Sequence, residues 1–190
     1  YTQTTPLQLC MMTAQIANGG FAVKPKIIVD NNPISYEDAK QSMESGLLFD
    51  TDSEELLDKK LFKNQRNIKI VQEAMFASTN ERFGTSYKSR IDDPKYQFAG
   101  KTGTAQVKRI SKRERELDLE LEQIPYKDRD HALYVAYGPY VNPRYALSII
   151  VEHGGSGSKA AAPIAKKLFK LIIDRHDLRN KQSNFERITV

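Results

Sequence analysis

The sequence predicts an α+β fold in which an antiparallel sheet is flanked by helices. Amphipathic helical patterns occur in the first part of the chain and again near its end, and strand-forming runs lie between them. The last two of these runs, at 131–138 and 144–152, are joined by the turn Val141-Asn142-Pro143 and predict a hairpin. Helices and a sheet bury each other's apolar faces, so the pattern indicates one layered domain.

The helical part of the prediction depends on capping and periodicity. Thr5-Pro6 opens the first helix, because Thr caps free amide groups and Pro suits the first helical position. Asn18-Gly19-Gly20 ends that helix with residues that tolerate a left-handed backbone. Further along we predict a strand at 26–29, a loop over 31–50, a helix that begins near Asp52 and an amphipathic helix at 67–76.

Three strands and a closing helix are predicted in the second half. The first strand covers 95–107, and a solvated, charged excursion with a short helix at 108–130 separates it from the hairpin. The strand at 144–152 is apolar throughout, as a central strand would be, yet the hairpin covers only one of its edges. The closing helix covers 159–175, and we predict four inward-facing residues: Ile164, Leu168, Leu171 and Ile172.

Length and composition narrow the class of protein. The 190 residues, with 39% apolar and 28% charged side chains, suffice for one domain (1–190) and leave no room for a second. The single cysteine, Cys10, excludes an internal disulfide and a Cys-rich metal site. No apolar run is long enough to span a membrane and no signal peptide is recognisable. Because the chain opens at Tyr1, we expect a piece of a longer protein whose anchor lies upstream.

The positive charge is concentrated near the end of the chain. The formal net charge is +5, and residues 159–181 hold seven basic and two acidic side chains. A nucleic-acid binder usually spreads its surplus over a face with interleaved aromatic residues. We therefore predict a solvated helix face and no nucleic-acid partner, while a binder of nucleic acid or of an anionic membrane stays an alternative.

The motif that carries chemistry lies within residues 98–107. It contains Lys101-Thr102-Gly103, one of the signatures of the penicillin-recognising serine enzymes, followed by Thr104. Lys101 offers a fixed positive charge to a carboxylate, and the two threonines offer hydroxyl donors. Gly103 leaves room for a ligand against the strand, and an amide of the strand can point at a developing oxyanion. These residues predict a site for a peptide that ends in D-alanine, or for a β-lactam that mimics it.

The surroundings of the motif extend the resemblance along almost the whole chain. Ala-Gly-Lys-Thr-Gly-Thr-Ala-Gln at 99–106 resembles the third motif of class B penicillin-binding proteins. Thr-Pro-Leu-Gln-Leu and Ala-Asn-Gly-Gly, at 5–9 and 17–20, resemble their helix between the second and third motifs. The runs at 131–137, 151–155 and 160–165 are similar to the two following strands and the start of the last helix. The closest resemblance is to the elongation-type branch, penicillin-binding protein 2.

This resemblance implies a fold, an activity and a setting. The fold is the C-terminal part of a penicillin-binding transpeptidase, which is similar to the serine β-lactamases. The activity is D,D-transpeptidation, in which a serine acyl-enzyme cross-links peptidoglycan stem peptides and β-lactams acylate the same serine. The implied setting is the periplasmic face of the bacterial inner membrane, and the implied partners are a glycan synthase and other elongation-complex proteins. No cofactor and no metal are implied.

The resemblance also assigns roles to single residues. Lys101, Thr102, Gly103 and Thr104 bind the substrate, and the backbone amide of Thr104 contributes to the oxyanion hole. The nucleophile, the serine of an S-x-x-K motif, and the S-x-N motif precede the first helix in this family. We therefore expect both to lie outside this chain and the chain alone to be inactive. The strand at 144–152 pairs in the family with strands from the region before that serine, which matches its uncovered edge.

Three other features invite a functional reading that we do not adopt. Ser156 and Lys159 fit S-x-x-K, but they follow the third motif in a Gly-rich corner where helix caps are common. Ser78-Thr79-Asn80 fits the S-x-N motif, but we predict that these residues form the polar C-terminal end of a helix. The corner also resembles a phosphate loop without completing its motif.

The histidines and two tyrosines need separate comment. His131, His153 and His176 are scattered in the sequence, and we predict that they are strand-end or surface residues. Tyr134 and Tyr137 should lie on opposite faces of a strand, one in the core and the other facing the groove.

Two further functions stay open from the sequence. The first keeps the fold without catalysis: a penicillin-binding-like module that recognises D-alanyl carboxylates or a protein partner. The second is a β-lactamase, which shares the third motif but lacks the extended matches on both sides.

Overall fold

The computed structural model describes residues 3–23, 25, 60–108 and 119–188, with side chains described up to Arg179. Helix α1 covers Pro6–Ala17 and helix α2 covers Gln65–Asn80. Strands β1 (Ala99–Ala105), β2 (His131–Gly138) and β3 (Tyr145–Val151) form one antiparallel sheet, and helix α3 covers Ala162–Ile188. The α+β prediction is therefore confirmed. The strand predicted at 26–29, the loop at 31–50 and the helix from Asp52 fall outside the described residues.

The capping prediction for α1 is confirmed. The Thr5 hydroxyl accepts a hydrogen bond from the Gln8 amide at 3.2 Å, and the Gln8 side chain accepts one from the Thr5 amide at 2.8 Å. This reciprocal capping box satisfies two amide groups that the helix cannot pair itself. At the other end, Gly19 and Gly20 adopt φ of +86° and +95°, a backbone that side-chain-bearing residues rarely adopt.

The sheet has the order β1-β2-β3 with consecutive strands paired. Ala99 pairs with Tyr137 and Ala105 with His131, and on the other side of β2 Ala132 pairs with Val151. The hairpin prediction is thus confirmed. Strand β1 is shorter than the predicted 95–107, because residues 94–96 form a turn before it. Within the described ranges, the outer edges of β1 and β3 have no strand partner.

The two faces of the sheet bury separate cores. One face carries Ala132, Tyr134 and Ala136, which pack with Phe98 and with α3. The opposite face carries Ala99 and Tyr137, which pack with Met75 of α2 and the end of α1. Tyr134 and Tyr137 therefore lie on opposite faces, as predicted. The expectation that one of them faces the groove is wrong, because both rings are buried.

Helix α3 differs from the prediction in its buried face and its length. The buried residues are Ala161, Ala162, Ala165, Phe169 and Ile173, whereas Ile164 and Leu171 are 40% and 67% exposed. Three alanines let the helix approach the sheet closely, and Phe169 then stacks on Phe98 with ring centroids 4.8 Å apart. Leu168 is half-buried and packs against this core, as predicted, and Ile172 is also half-buried. Alanine contributes little to a pattern of large apolar residues, so the pattern wrongly included Ile164 and Leu171.

Ion pairs on the surface hold α3 beyond its predicted end at 175. The Lys95 ammonium lies 3.1 Å from the Asp174 carboxylate and 3.0 Å from that of Asp177. Arg144 lies 3.7 Å from Asp177 on the same side. These contacts join the turn before β1 and the hairpin loop to the helix. Among the described residues, no helix is long and apolar enough to cross a membrane.

The charged excursion is only partly described. Residues 119–130 form two short 3₁₀ turns, at Leu121–Gln123 and Tyr126–Asp128, and the carboxylate of Asp130 accepts from the Val107 amide at 3.2 Å. Their side chains are mostly exposed or half-buried, which agrees with a solvated excursion. The short helix predicted for 108–130 appears as these turns, and residues 109–118 lie outside the described part.

Candidate active site

The Lys-Thr-Gly motif lies in the middle of β1, whose outer edge has no strand partner in the described part of the chain. The Lys101 side chain is exposed, and its ammonium donates to the Thr102 carbonyl at 2.8 Å. It forms no ion pair with the carboxylates of the described residues. A cation that has only a neutral acceptor remains able to bind an anion at this edge.

Gly103 packs closely on the neighbouring strand β2. A Cβ at Gly103 would lie 3.2 Å from the Leu133 Cβ. Gly157, at the start of the last helical segment, contacts the backbone of Gly103. A Cβ at Gly157 would lie 2.8 Å from the Gly103 carbonyl oxygen. The Lys-Thr-Gly strand and the corner before α3 are therefore in direct backbone contact.

The two threonines of the motif have different environments. The Thr102 hydroxyl lies 3.3 Å from that of Thr85, and Thr85 lies 3.3 Å from the Ser78 hydroxyl. Thr104 is exposed, and its hydroxyl has no hydrogen-bond partner in the described ranges. Thr102 is thus held by neighbouring hydroxyls, while Thr104 is available to a ligand.

A buried hydroxyl cluster supports the strand from behind. The Tyr134 hydroxyl lies 2.9 Å from that of Thr79 and 3.1 Å from that of Ser86. Burial raises the pKa of the Tyr134 phenol, so this group stays protonated and can donate. A Cβ at Gly100 would overlap the Tyr134 ring, so the small residue before the motif is needed for this cluster.

The Ser78-Thr79-Asn80 segment therefore has a structural role. It ends α2, as predicted. Thr79 is buried against Tyr134, and the side-chain amide of Asn80 donates to the Phe98 carbonyl at 2.9 Å. The segment joins α2 to the entry of β1. From the sequence alone, these residues are recognisable only as the polar end of a helix. The contact of Thr79 with the Tyr134 hydroxyl was not predictable, because the two residues lie 55 positions apart.

Replacing Tyr134 with phenylalanine tests the hydroxyl cluster. We expect the free energy of unfolding to fall by about 1 kcal/mol, because Thr79 and Ser86 lose a buried partner but keep other acceptors. Urea denaturation followed by circular dichroism measures this difference. Tyr126→Phe is the matched control, since Tyr126 is 64% exposed and should change stability by less than about 0.5 kcal/mol. Equal effects of both substitutions would contradict a buried role for the Tyr134 hydroxyl.

Ser156 and Lys159 are not arranged as a nucleophile and its base. The Ser156 hydroxyl lies 3.0 Å from the Ser158 hydroxyl, and Lys159 is exposed. The expected side-chain cap is absent at this corner: Ser156 instead uses its backbone carbonyl, which accepts from the amides of Lys159 and Ala160. The first turn here is π-helical, Gly157–Ala161, which is a geometry that the sequence pattern does not reveal.

His131 and His153 lie at strand ends, as predicted, although the fold brings the two together. The rings of His131 and His153 lie 4.8 Å apart, and the His153 amide donates to Nδ1 of His131 at 2.9 Å. His153 Nδ1 lies 3.0 Å from the Arg129 carbonyl. The pair ties the ends of the hairpin together. Within the part of the chain that the structure describes, no three metal-ligating side chains converge.

A Lys-Thr-Gly strand at the edge of an antiparallel sheet covered by a C-terminal helix defines the class of penicillin-recognising serine enzymes. The family model described as the penicillin binding protein transpeptidase domain matches residues 2–170. The chain therefore belongs to the penicillin-binding protein transpeptidase family.

Relatives of the elongation-type class B branch share this region. The peptidoglycan D,D-transpeptidases MrdA of Haemophilus influenzae and Acinetobacter baumannii are 28% and 31% identical over 180 and 163 residues. These matches cover 92% and 84% of this chain but only 24% and 21% of the two relatives. The predicted resemblance to the elongation-type branch is confirmed.

Solved structures agree in fold. PBP2 of Pseudomonas aeruginosa in complex with WCK 5153 has a TM-score of 0.59 at 28% identity, over 90% of this chain and 31% of that one. PBP2 of Helicobacter pylori in complex with MreC has a TM-score of 0.58 at 30% identity, over 88% and 25%. The chain thus spans about a fifth to a third of the length of these relatives and solved structures.

Proposed function

We propose that this chain is the C-terminal part of a peptidoglycan D,D-transpeptidase domain that reacts through a serine acyl-enzyme. The observation that carries the proposal is the Lys-Thr-Gly motif on the open edge of β1, with the Lys101 ammonium and the Thr104 hydroxyl accessible. An extended peptide can add to such an edge through backbone hydrogen bonds. Its terminal carboxylate then meets the positive charge of Lys101.

Each residue of the motif has a proposed role in that reaction. Lys101 binds the carboxylate of a D-alanyl end or of a β-lactam, and Thr102 and Thr104 donate hydroxyl hydrogen bonds to it. Gly103 lets the ligand approach the strand. The backbone amide of Thr104 stabilises the oxyanion that forms when the serine attacks the carbonyl, because a fixed donor costs no reorganisation during the reaction.

The nucleophilic serine and its lysine are proposed to lie outside these 190 residues. Two features support this. Ser156 lacks contact with a base, and the outer edge of β3 has no strand partner in the described ranges. A strand with an unpaired edge can pair with a further strand supplied by another part of the protein.

The location and the partners follow from the relatives and are also proposals. We place the intact protein at the periplasmic face of the inner membrane, where peptidoglycan stem peptides and β-lactams reach it. PBP2 of Helicobacter pylori was solved in complex with MreC, which supports an elongation-complex partner for this protein. A glycan synthase is the further partner that the resemblance implies.

The intact mass after incubation with excess penicillin tests the proposal. We expect the 190-residue chain to keep its mass and the intact gene product to gain one adduct on a serine of an S-x-x-K motif. A stoichiometric adduct on the 190-residue chain would overturn the proposed position of the nucleophile and make Ser156 the leading candidate. An intact gene product that binds D-alanyl-D-alanine peptides without forming any adduct would favour the non-catalytic module instead.

A further inference from the structure

A strongly basic groove lies between the segment after α2 and the start of α3. Its volume is about 750 Å³. Six cations line it, namely Arg82 and Lys88 on one wall and Lys159, Lys166, Lys167 and Lys170 on the other. No acidic residue is among the described residues that line it.

The charge of this groove is not neutralised by the described protein. None of the six cations forms an ion pair with a carboxylate in the ranges that the structure describes. The hydrogen bond from Tyr96 and the pairing with Lys95 at 3.1 Å lower the pKa of the Asp174 carboxyl, and Lys170 adds only a smaller contribution. Like charges that face each other across a groove repel, so an anion that enters it lowers the electrostatic energy.

The cations are spread along the groove rather than gathered at one point. Lys159 and Lys170 are separated by eleven residues, which corresponds to about 16 Å along a helix. A single carboxylate or phosphate would use only part of this length. The spacing therefore fits an extended ligand with repeated negative charges.

The groove adjoins the Lys-Thr-Gly strand. Thr85 lines the groove, and its hydroxyl lies 3.3 Å from that of Thr102. Ser158 also lines it, and its neighbour Gly157 packs on the backbone of Gly103. A ligand whose end is bound at the strand can therefore continue into the basic groove.

The aromatic content of the groove argues against a nucleic acid. Single-stranded nucleic acids are usually bound by positive charge together with aromatic rings on which bases stack. Tyr87 is the aromatic residue among the described lining, and the Arg90 guanidinium already lies over its ring, 4.1 Å from the centroid. The groove thus offers charge without a free stacking surface.

We propose that the basic groove binds the carboxylate groups of the peptidoglycan strand beyond the D-alanyl end that Lys101 holds. This inference rests on the proposed function, because it extends the same substrate from the strand into the groove. The groove then acts as a positioning and recruiting site, and its residues take no part in acyl transfer. Attraction over this length raises the local concentration of a polyanionic substrate, and added salt screens it.

Co-sedimentation of the 190-residue chain with insoluble purified peptidoglycan tests this proposal. We expect Lys88→Glu combined with Lys167→Glu, one exposed residue from each wall, to weaken binding about tenfold. The matched control combines Lys69→Glu with Lys127→Glu, which are exposed, lie outside the groove lining and change the net charge equally. It should weaken binding less than about twofold. Circular dichroism of each variant checks that the fold is kept.

The nature of the ligand is tested in the same assay. Chemical amidation of the peptidoglycan carboxylates should abolish the difference between wild type and the groove variant. Equal weakening by groove and control variants would overturn the proposal, as would undiminished binding to amidated peptidoglycan. Polyphosphate or a single-stranded oligonucleotide that binds more tightly than peptidoglycan would assign the groove to that polymer instead. The proposed function is tested separately. It fails if penicillin does not acylate the intact gene product, whatever the result of the peptidoglycan assay.

Discussion

The intact protein with Lys101→Ala is expected to react with penicillin roughly ten- to a hundredfold more slowly than the unsubstituted protein. A hydrogen bond to a charged group contributes about 1.5–3 kcal/mol, which corresponds to this range of rates. Lys101 is exposed, and among the described residues its ammonium contacts only a backbone carbonyl, so the change should leave the fold intact. The second-order rate of adduct formation, followed by intact mass, measures the effect.

Lys69→Ala provides the control for this comparison. Lys69 is an exposed residue of α2 without an ion pair in the described part of the chain, so its removal should change the acylation rate less than about twofold. Lys101→Arg separates charge from shape, because Arg keeps the positive charge with a planar and longer head group. Acylation of Lys101→Ala at the unsubstituted rate would remove Lys101 from the substrate site.

Phe169→Ala is expected to lower the free energy of unfolding by roughly 3–5 kcal/mol, the usual range for a large-to-small change in a core. Phe169 is fully buried and stacks on Phe98 at 4.8 Å between ring centroids. Its removal leaves a cavity between α3 and the sheet, beside Phe98 and Gly138. Urea denaturation monitored by far-ultraviolet circular dichroism measures the loss.

Leu171→Ala on the same helix is the matched comparison. Leu171 is 67% exposed, so its truncation should cost less than about 0.5 kcal/mol. The pair also decides between the two faces of α3, because the pattern of large apolar residues favoured Leu171 and the structure favours Phe169. A larger loss for Leu171→Ala than for Phe169→Ala would restore the face predicted from the sequence.

The order of elements was predictable because it depends on local signals. Thr5-Pro6 marks the start of α1, alternating apolar runs mark the hairpin, and the motif marks β1. The buried stripe of α3 was not predictable, since three small alanines pack more closely than the larger residues beside them. Local patterns report which residues are apolar, and close packing then decides which of them are buried.

The candidate site was predictable to a similar extent. The resemblance assigned Lys101 to Thr104, and the structure places all four on an accessible strand. The support behind that strand was not predictable, because Tyr134, Thr79 and Ser86 meet across long separations in the sequence. The sequence places the basic surplus on the last helix and predicts a solvated face. The opposing wall with Arg82 and Lys88 becomes visible only in three dimensions.

The contact of Gly157 with Gly103 makes the geometry of the Lys-Thr-Gly strand depend on a residue outside the motif. A Cβ at position 157 would lie 2.8 Å from the Gly103 carbonyl oxygen and closer still to that of Leu133, so a side chain there requires the backbone of the corner or of the neighbouring strands to shift. A substitution at position 157 can therefore alter the shape of β1 while every residue of the motif is retained. Inspection of the motif alone would not detect such a change.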